Sequence, residues 1–292
     1  MQKISELTST ADTNGEFTNG SVASGVSPTN LDAGWFNTVQ RELVALVQGG
    51  GLTLDPDNDA QVLAAVQALL AAQDSGRLLN VQLFTTAGAY SYTPSTGTKT
   101  IDVTVVGAGG GGGGTPATSS SQVSAASGGG GGGTAKSRLL VSNLTFPLTI
   151  TVGKGGTAGT GTTTPTTGGT SSFGSLLSAT GGSAGGNGVT VTAGSTYLIS
   201  NGGGGLGVGG NQMNIKGGPG GRAIILAAGW ESGEGGASTQ SAGGDPIASS
   251  SSIAGVTGRL GAGGSGAFAI QSSAVFAGGA GGDGVVIVAE YS

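Results

Sequence analysis

The sequence predicts a mainly β chain whose strands are joined by glycine-rich loops, preceded by a short α-helical segment. Three observations carry this. Glycine supplies 65 of 292 residues, only nine of them before Tyr90, and it forms unbroken runs such as Gly109 to Gly114 and Gly128 to Gly133. The hydrophobic fraction is 36%, the charged fraction 9% and the mean hydropathy +0.15, opposite to the charged, apolar-poor composition of disordered chains. Between the glycine runs lie short apolar segments with period-two alternation, such as Ile101, Val103 and Val105. Glycine buries no side chain and loses the most backbone entropy on ordering, so an ordered glycine-rich region must pack backbone on backbone. Collagen is excluded, because glycine does not recur at every third residue and prolines number only eight.

Residues 1–30 are rich in Ser, Thr, Asn and Gly and read as an extended arm without a core of its own. Residues 31–78 read as two helices. In the first, Trp35, Val39, Leu43, Leu46 and Val47 recur at helical spacing after a cap at Asn30 or Asp32, and Gly49-Gly50-Gly51 stops the run. In the second, a cap at Asp57 or Asn58 precedes an apolar stripe of Val62, Leu63, Val66, Leu69 and Leu70. Two helices of this size cannot bury both stripes alone, so self-association through them is expected. Residues 79–292 form the glycine-rich β domain. Its expected strands are 81–84, 99–106, 137–141, 148–152, 189–192, 196–199, 223–226 and 284–289. The strongest of these, at the two ends of the domain, are expected to be neighbours in one sheet.

Composition narrows the chemistry. A net charge of −5 with ten scattered Lys and Arg offers no basic patch for nucleic acid or an anionic membrane. With neither cysteine nor histidine, thiolate and imidazole metal sites and His-based acid–base catalysis are excluded, and neither a cofactor nor a metal is expected. The amino terminus has no apolar signal core, and no stretch reaches membrane-spanning length. Gly107, Gly109 and Gly112 follow a strand with dinucleotide-fingerprint spacing, but Thr115-Pro116 follows where a helix is required. Gly153-Lys154-Gly155 lacks the first glycine of a phosphate loop, since position 148 is leucine. Asp55, Asp57 and Asp59 open like a calcium loop, yet Ala60 and Val66 stand where its glycine and closing glutamate belong. Glu231 and Glu234 lie among glycines as solvated loop charges, so no catalytic residues are assigned and no enzyme activity is expected.

Large side chains between glycine tracts are rare and therefore informative. Trp230 with Glu231, Met213 with Gln212 and Asn214, and Phe268 all stand in such interruptions. They either form recognition surfaces, where aromatic anchors carry much of the binding energy, or fold back onto the sheet as plugs.

A resemblance joins these features. The ordered blocks at 102–114, 128–140, 148–156, 168–174, 179–182, 217–221 and 284–291 resemble the glycine-rich domain of bacteriophage and prophage tail fibres. The resemblance covers residues from about 81 to 292. The stretches 27–43 and 52–63 are similar to the helical segment that precedes such domains in tail fibre proteins of the Mu-like and Pseudomonas phage type. This implies a homotrimeric virion protein made in the host cytoplasm and carried at the tail tip or baseplate. Its amino terminus would bind baseplate or tail proteins, and its tip a host receptor such as a pilus, lipopolysaccharide or outer-membrane protein. The resemblance further implies glycine tracts of the polyglycine II type. No extended shaft is present, which makes the expected object a short fibre. On this basis Trp35, Val39, Leu43, Leu46, Val62, Val66 and Leu69 are expected at the trimer interface, and Gln212, Met213, Asn214, Trp230, Glu231 and Phe268 at the receptor. A tail-associated polysaccharide depolymerase and a glycine-rich extracellular structural or adhesive protein are the alternatives. Scarce acids and the missing signal and cysteines weigh against them.

Overall fold

The computed structural model describes residues 3–73, 76–227, 229–247 and 251–292. The chain divides into two compact units, Met1–Ser75 and Gly76–Ser292.

In the first unit, residues 3–32 do not run as an extended arm. They turn back on themselves through one-turn helices at Ile4–Glu6 and Val22–Ser24, and Asp12 Oδ1 accepts from the amides of Asn14 and Glu16. Thr29 Oγ1 donates to Thr10 O at 3.0 Å, while Asn30 N donates to Thr10 Oγ1 at 2.8 Å. Ile4 is buried, and Phe17 meets Trp35 edge-to-face at 5.0 Å, so the segment shares a small core with the helix that follows. That helix, α1 (Ala33–Gly49), is capped by Asp32, whose Oδ1 accepts Gly34 N at 2.7 Å. The second helix, α2 (Gln61–Gln73), starts later than its expected caps. Asp55 and Asn58 spend their carboxylate and amide oxygens on the Asp57 and Ala60 amides in turns before it. The helices meet where a Cβ on Gly50 would fall closer than 3.0 Å to Ala65, and Val47 and Ala65 are buried there.

The second unit is mainly β and its strand ladders are antiparallel. In chain order the strands are β1 (Leu78–Phe84), β2 (Gly88–Tyr92), β3 (Thr100–Val106), β4 (Gln122–Ala125), β5 (Thr134–Leu140) and β6 (Leu148–Val152). There follow β7 (Ser171–Phe173), β8 (Leu177–Ala179), β9 (Val191–Thr192), β10 (Tyr197–Ile199) and β11 (Gly207–Val208). The last are β12 (Met213–Ile215), β13 (Ala223–Leu226), β14 (Gly229–Glu231), β15 (Phe268–Ala269) and β16 (Val285–Tyr291). Two five-stranded sheets, β1-β16-β3-β5-β12 and β11-β8-β7-β6-β2, form a sandwich. The expected pairing of the two ends of the domain is present, with β16 beside β3 from Val285↔Val106 to Tyr291↔Thr100. Ile101, Val103, Val105, Val286 and Val288 face Tyr92, Ile150 and Phe173 across the core.

Glu290 is buried in this sandwich, an unusual place for a carboxylate. Its Oε1 accepts from Tyr92 Oη and Gln82 Nε2, both at 2.9 Å, and its Oε2 from Ser95 N at 3.2 Å. Burial by itself pushes the carboxyl up, but the hydrogen bonds from Ser95, Tyr92 and Gln82 outweigh it and hold the group below its ordinary value. Burial and the adjacent carboxylate push the Tyr92 hydroxyl well up. The Tyr92–Glu290 bond therefore ties one sheet to the other.

Two smaller sheets, β10-β13-β14 and β15-β4-β9, share a second core of Val123, Ala125, Ala223, Ile225, Ile247 and Phe268. We call this the cap. The glycine tracts run to and fro between sandwich and cap: residues 107–114 lead from β3 toward β4, residues 126–133 return to β5, and residues 216–222 lead from β12 to β13.

The backbone bonds of residues 107–114 repeat every third residue. Gly107, Gly110 and Gly113 donate to Gly133, Gly130 and Ser127, Ala108 and Gly111 to Gly169 and Thr166, and Gly109 and Gly112 to Gly282 and Gly279. Their carbonyls accept in the same rhythm. Gly182, Gly185 and Gly188 donate to one row, Gly156 and Gly159 to a second, and Gly264 and Ala267 to a third. The tract is thus surrounded by six segments, three receiving its bonds and three supplying them. Buried amides and carbonyls are satisfied without a sheet. None of the glycines from 107 to 114 or 128 to 133 has the left-handed φ that commonly selects glycine. Close approach selects it instead, since a Cβ on Gly110, Gly111 or Gly112 would overlap the carbonyl of Ser183, Thr157 or Ser265.

Candidate functional site

The cap is built on a stack. Trp230 lies parallel to Phe268, with ring centroids 5.9 Å apart and planes 16° from parallel. Phe268 is fully buried, so it is a core plug and not a receptor contact as expected from sequence. Trp230 is half-buried against the same core, because its ladder partner is the inward-facing Ile225.

The opposite face of this small sheet is apolar and open. Strand alternation turns Ala223 and Ile225 inward and Ile224 and Leu226 outward. Leu198 is the partner of Ile224 on β10 and Glu231 its partner on β14, so Leu198, Ile224 and Glu231 lie in one row. Leu198 is 51% exposed and Leu226 48%. Ile224, Leu226, Gly229, Trp230 and Glu231 line a shallow depression of about 210 Å³. Val189, Tyr197, Ile253 and Val275 are further exposed apolar side chains of the cap.

The expected receptor residues do not come together. Met213 and Asn214 lie on β12 at the edge of the sandwich, with Gln212 just before them, whereas Trp230 and Glu231 lie in the cap beyond the 216–222 tract. Asn214 is occupied locally: its Oδ1 accepts Gly210 N at 2.9 Å and its Nδ2 donates to Gly210 O at 2.8 Å. Gln212 N donates to Lys136 O, and Met213 pairs with Lys136. The interruptions of the glycine tracts point to Trp230, Phe268, Met213 and their polar neighbours and pass over the exposed Leu198, Ile224 and Leu226. The signal was the Ala-Ile-Ile-Leu run at 223–226, whose alternate residues have no core on their second side.

Among the trimerisation candidates, Trp35 is partly spent on Phe17. Leu43, Val62 and Val66 are exposed, and Val39, Leu46 and Leu69 are half-buried. Of Asp55, Asp57 and Asp59, the first closes a turn by accepting from the Asp57 amide, and the described residues contain no group of three or more His, Cys, Asp or Glu side chains arranged to hold a metal. On the sandwich face, Arg138 pairs with Asp102 through two bonds of 2.7 and 2.9 Å while its guanidinium sits 5.5 Å from the Tyr291 ring.

A family model described as a glycine-rich domain matches residues 85–291, which spans the sandwich from β2, the glycine tracts and the cap. The chain belongs to the glycine-rich domain family. The family boundary falls near the start of the second compact unit and leaves the helical unit outside it. No curated protein matches the chain significantly.

Proposed function

We propose that this glycine-rich domain protein is a tail-fibre subunit of a phage virion that recognises a host bacterial surface receptor through its cap. The observation that carries this is the position of the exposed apolar cap. The chain enters the second unit at Gly76 beside the sandwich, and the cap stands at the other end of the glycine tracts. At about 3.1 Å per residue, the eight residues 107–114 hold the two ends about 25 Å apart. The three-residue rhythm of donors and acceptors supports tracts of the polyglycine II type, a three-fold extended backbone helix satisfied by its neighbours. Such tracts make a stiff stalk at minimal side-chain cost, suited to presenting a binding surface away from an anchored end. The resemblance of the block order to that of tail fibres supports the same assignment.

In this reading the amino-terminal unit joins the tail or baseplate and holds copies together as a homotrimer. Leu63 and Leu70 are 61% and 63% exposed on α2, which supports association through the helices. Three copies on one rigid tip give avidity that a single weak site lacks. The test is binding of the purified protein to host cells by the triple variant Leu198→Ser, Ile224→Ser, Leu226→Ser. Loss of three apolar contacts is expected to weaken adsorption by about tenfold or more while the melting curve is retained. Equal adsorption by variant and wild type would remove the cap face from the reading. Host strains lacking pili, lipopolysaccharide core or single outer-membrane proteins then identify the receptor.

A further inference from the structure

Charge is divided unevenly along this chain. Residues 1–75, the first compact unit, hold nine Asp or Glu against two Lys or Arg, a net −7, whereas residues 76–292 hold six against eight, a net +2. The two cations of the first unit are held close by: Lys3 Nζ donates to Asn14 O at 2.8 Å and Arg41 Nε to Asn37 O at 3.1 Å. Like-charged surfaces repel, so a close partner of this unit is selected for positive charge.

Part of the negative charge borders an apolar groove. Leu43 and Val47 of α1, Leu54 of the connection and Val62 of α2 line it together with Asp59, and its volume of about 160 Å³ has room for a leucine-sized side chain. Val47 is buried there, while Leu43, Leu54 and Val62 remain exposed. Gln61 holds the connection in shape: its Oε1 accepts from Asp55 N at 2.9 Å and its Nε2 donates to Asn58 O at 2.8 Å. Asp55 Oδ1 is spent on the Asp57 amide. The carboxylates of Asp57 and Asp59 take part in none of the hydrogen bonds or ion pairs among the described residues, so their charge stands beside the groove without an internal counter-ion.

We infer that the groove between α1 and α2 is the docking site for a basic segment of another virion protein that carries an aliphatic anchor. The anchor fills the groove, and Lys or Arg side chains beside it pair with Asp57 and Asp59. This inference rests on the reading that the amino-terminal unit joins the tail or baseplate, and it names the chemistry of the partner. A second copy of this chain does not fit. Its first unit brings a further −7. The one stretch that joins two cations to leucines, Lys136-Ser137-Arg138-Leu139-Leu140, is an inner strand of the sandwich whose Arg138 already pairs with Asp102. Leu63 and Leu70 lie about a quarter turn round α2 from Val62, outside the groove, and are left for association of copies.

The experiment follows binding of labelled synthetic peptides to the full chain by fluorescence anisotropy. The probe is a short peptide with a leucine pair flanked by lysines, compared with its counterparts carrying glutamate for lysine or serine for leucine. The lysine and leucine peptide is expected to bind at least about tenfold more tightly than either counterpart. Asp57→Asn/Asp59→Asn should weaken it about fivefold and reduce its salt dependence, since exposed ion pairs are each worth little. Glu6→Gln/Glu16→Gln removes the same charge elsewhere in the unit and should change binding by less than about twofold. Leu54→Ser should weaken it about tenfold with the salt dependence and the melting curve retained, because that side chain is exposed until the anchor covers it. Equal binding of the three peptides, or equal losses in the two charge variants, overturns the groove as the site. Immunoblots of purified virions test the parent reading separately. Wild-type chain missing from virions overturns attachment to the tail and this inference with it. Wild type present, with the combined variant Leu54→Ser/Asp57→Asn/Asp59→Asn incorporated to the same level, overturns the groove and leaves attachment standing.

Discussion

Replacing Gly112 and Gly203 by alanine, one at a time, separates two reasons for a glycine-rich chain. Gly112 lies inside the central tract, where a Cβ would overlap the Ser265 carbonyl closer than 3.0 Å. Gly203 is exposed, and its Cβ would meet only Ser183 Oγ at 3.9 Å. Neither position has a left-handed φ, so backbone strain is the same small term in both. Forcing a methyl into a close-packed interior costs about 1–3 kcal/mol. The displaced 261–267 segment also strains its bonds from Gly264 to Gly110 and from Ala267 to Gly113, each worth about 0.5–1.5 kcal/mol. Reduced freedom of the unfolded chain returns about 0.4–1 kcal/mol. The net loss for Gly112→Ala is therefore roughly 2–5 kcal/mol, or about 4–20 °C in a domain of this size. Gly203→Ala retains only the favourable part and should gain up to about 1 kcal/mol. Thermal melts followed by circular dichroism at one scan rate measure both. Equal shifts in the two variants would refute close backbone approach as the reason for glycine in the tracts.

Three further outcomes follow from the cores. Tyr92→Phe removes a bond to a buried carboxylate and should cost about 1.5–3 kcal/mol in urea unfolding, whereas Tyr90→Phe, which loses a bond to the exposed Thr86 carbonyl, should cost less. The same pair sets the pH limits. Glu290 titrates below its ordinary 4.5 in the fold, so its contribution is complete above that value and is lost as the pH falls through the folded pKa. Tyr92 titrates above its ordinary 10.0, so its contribution is complete below that value and declines as the pH rises beyond it. Melting temperature against pH should therefore be flat between these limits, and Tyr92→Phe should flatten the alkaline limb. Trp230→Ala opens the stack over Phe268 and should destabilise by roughly 2–3 kcal/mol, somewhat under the range for a fully buried Trp. An unchanged melting curve would show that Trp230 is free for binding after all.

Much of the fold was legible. Period-two patterns located the long strands, because a sheet with one buried face forces alternation, and Ile101, Val103 and Val105 do face the core. The pairing of the domain's two ends followed from their apolar strength. The short strands β7, β8, β11, β12, β14 and β15 were not legible, since two or three residues carry no period and only their neighbours define them. The first thirty residues looked extended because single polar side chains making turns leave no pattern. Of the expected receptor residues, Trp230 and Glu231 stand in the cap, while Phe268 is sealed beneath and Met213 lies at the other end of the tract, because strand pairing and not spacing along the chain sets which interruptions meet.

By itself the sequence determined that the chain is ordered, mainly β after a short helical segment, and built with backbone where other proteins use side chains. Composition suffices for that, because low charge and high apolar content exclude disorder while dense glycine excludes an ordinary core. Only the tertiary structure decided which glycine meets which. Runs of one residue carry no register, and the three-residue rhythm arises from bonds between segments up to about 170 residues apart, such as Gly109 with Gly282. The same holds for the exposed apolar face of the cap, since Leu198, Ile224 and Leu226 become one face only when β10 and β13 pair.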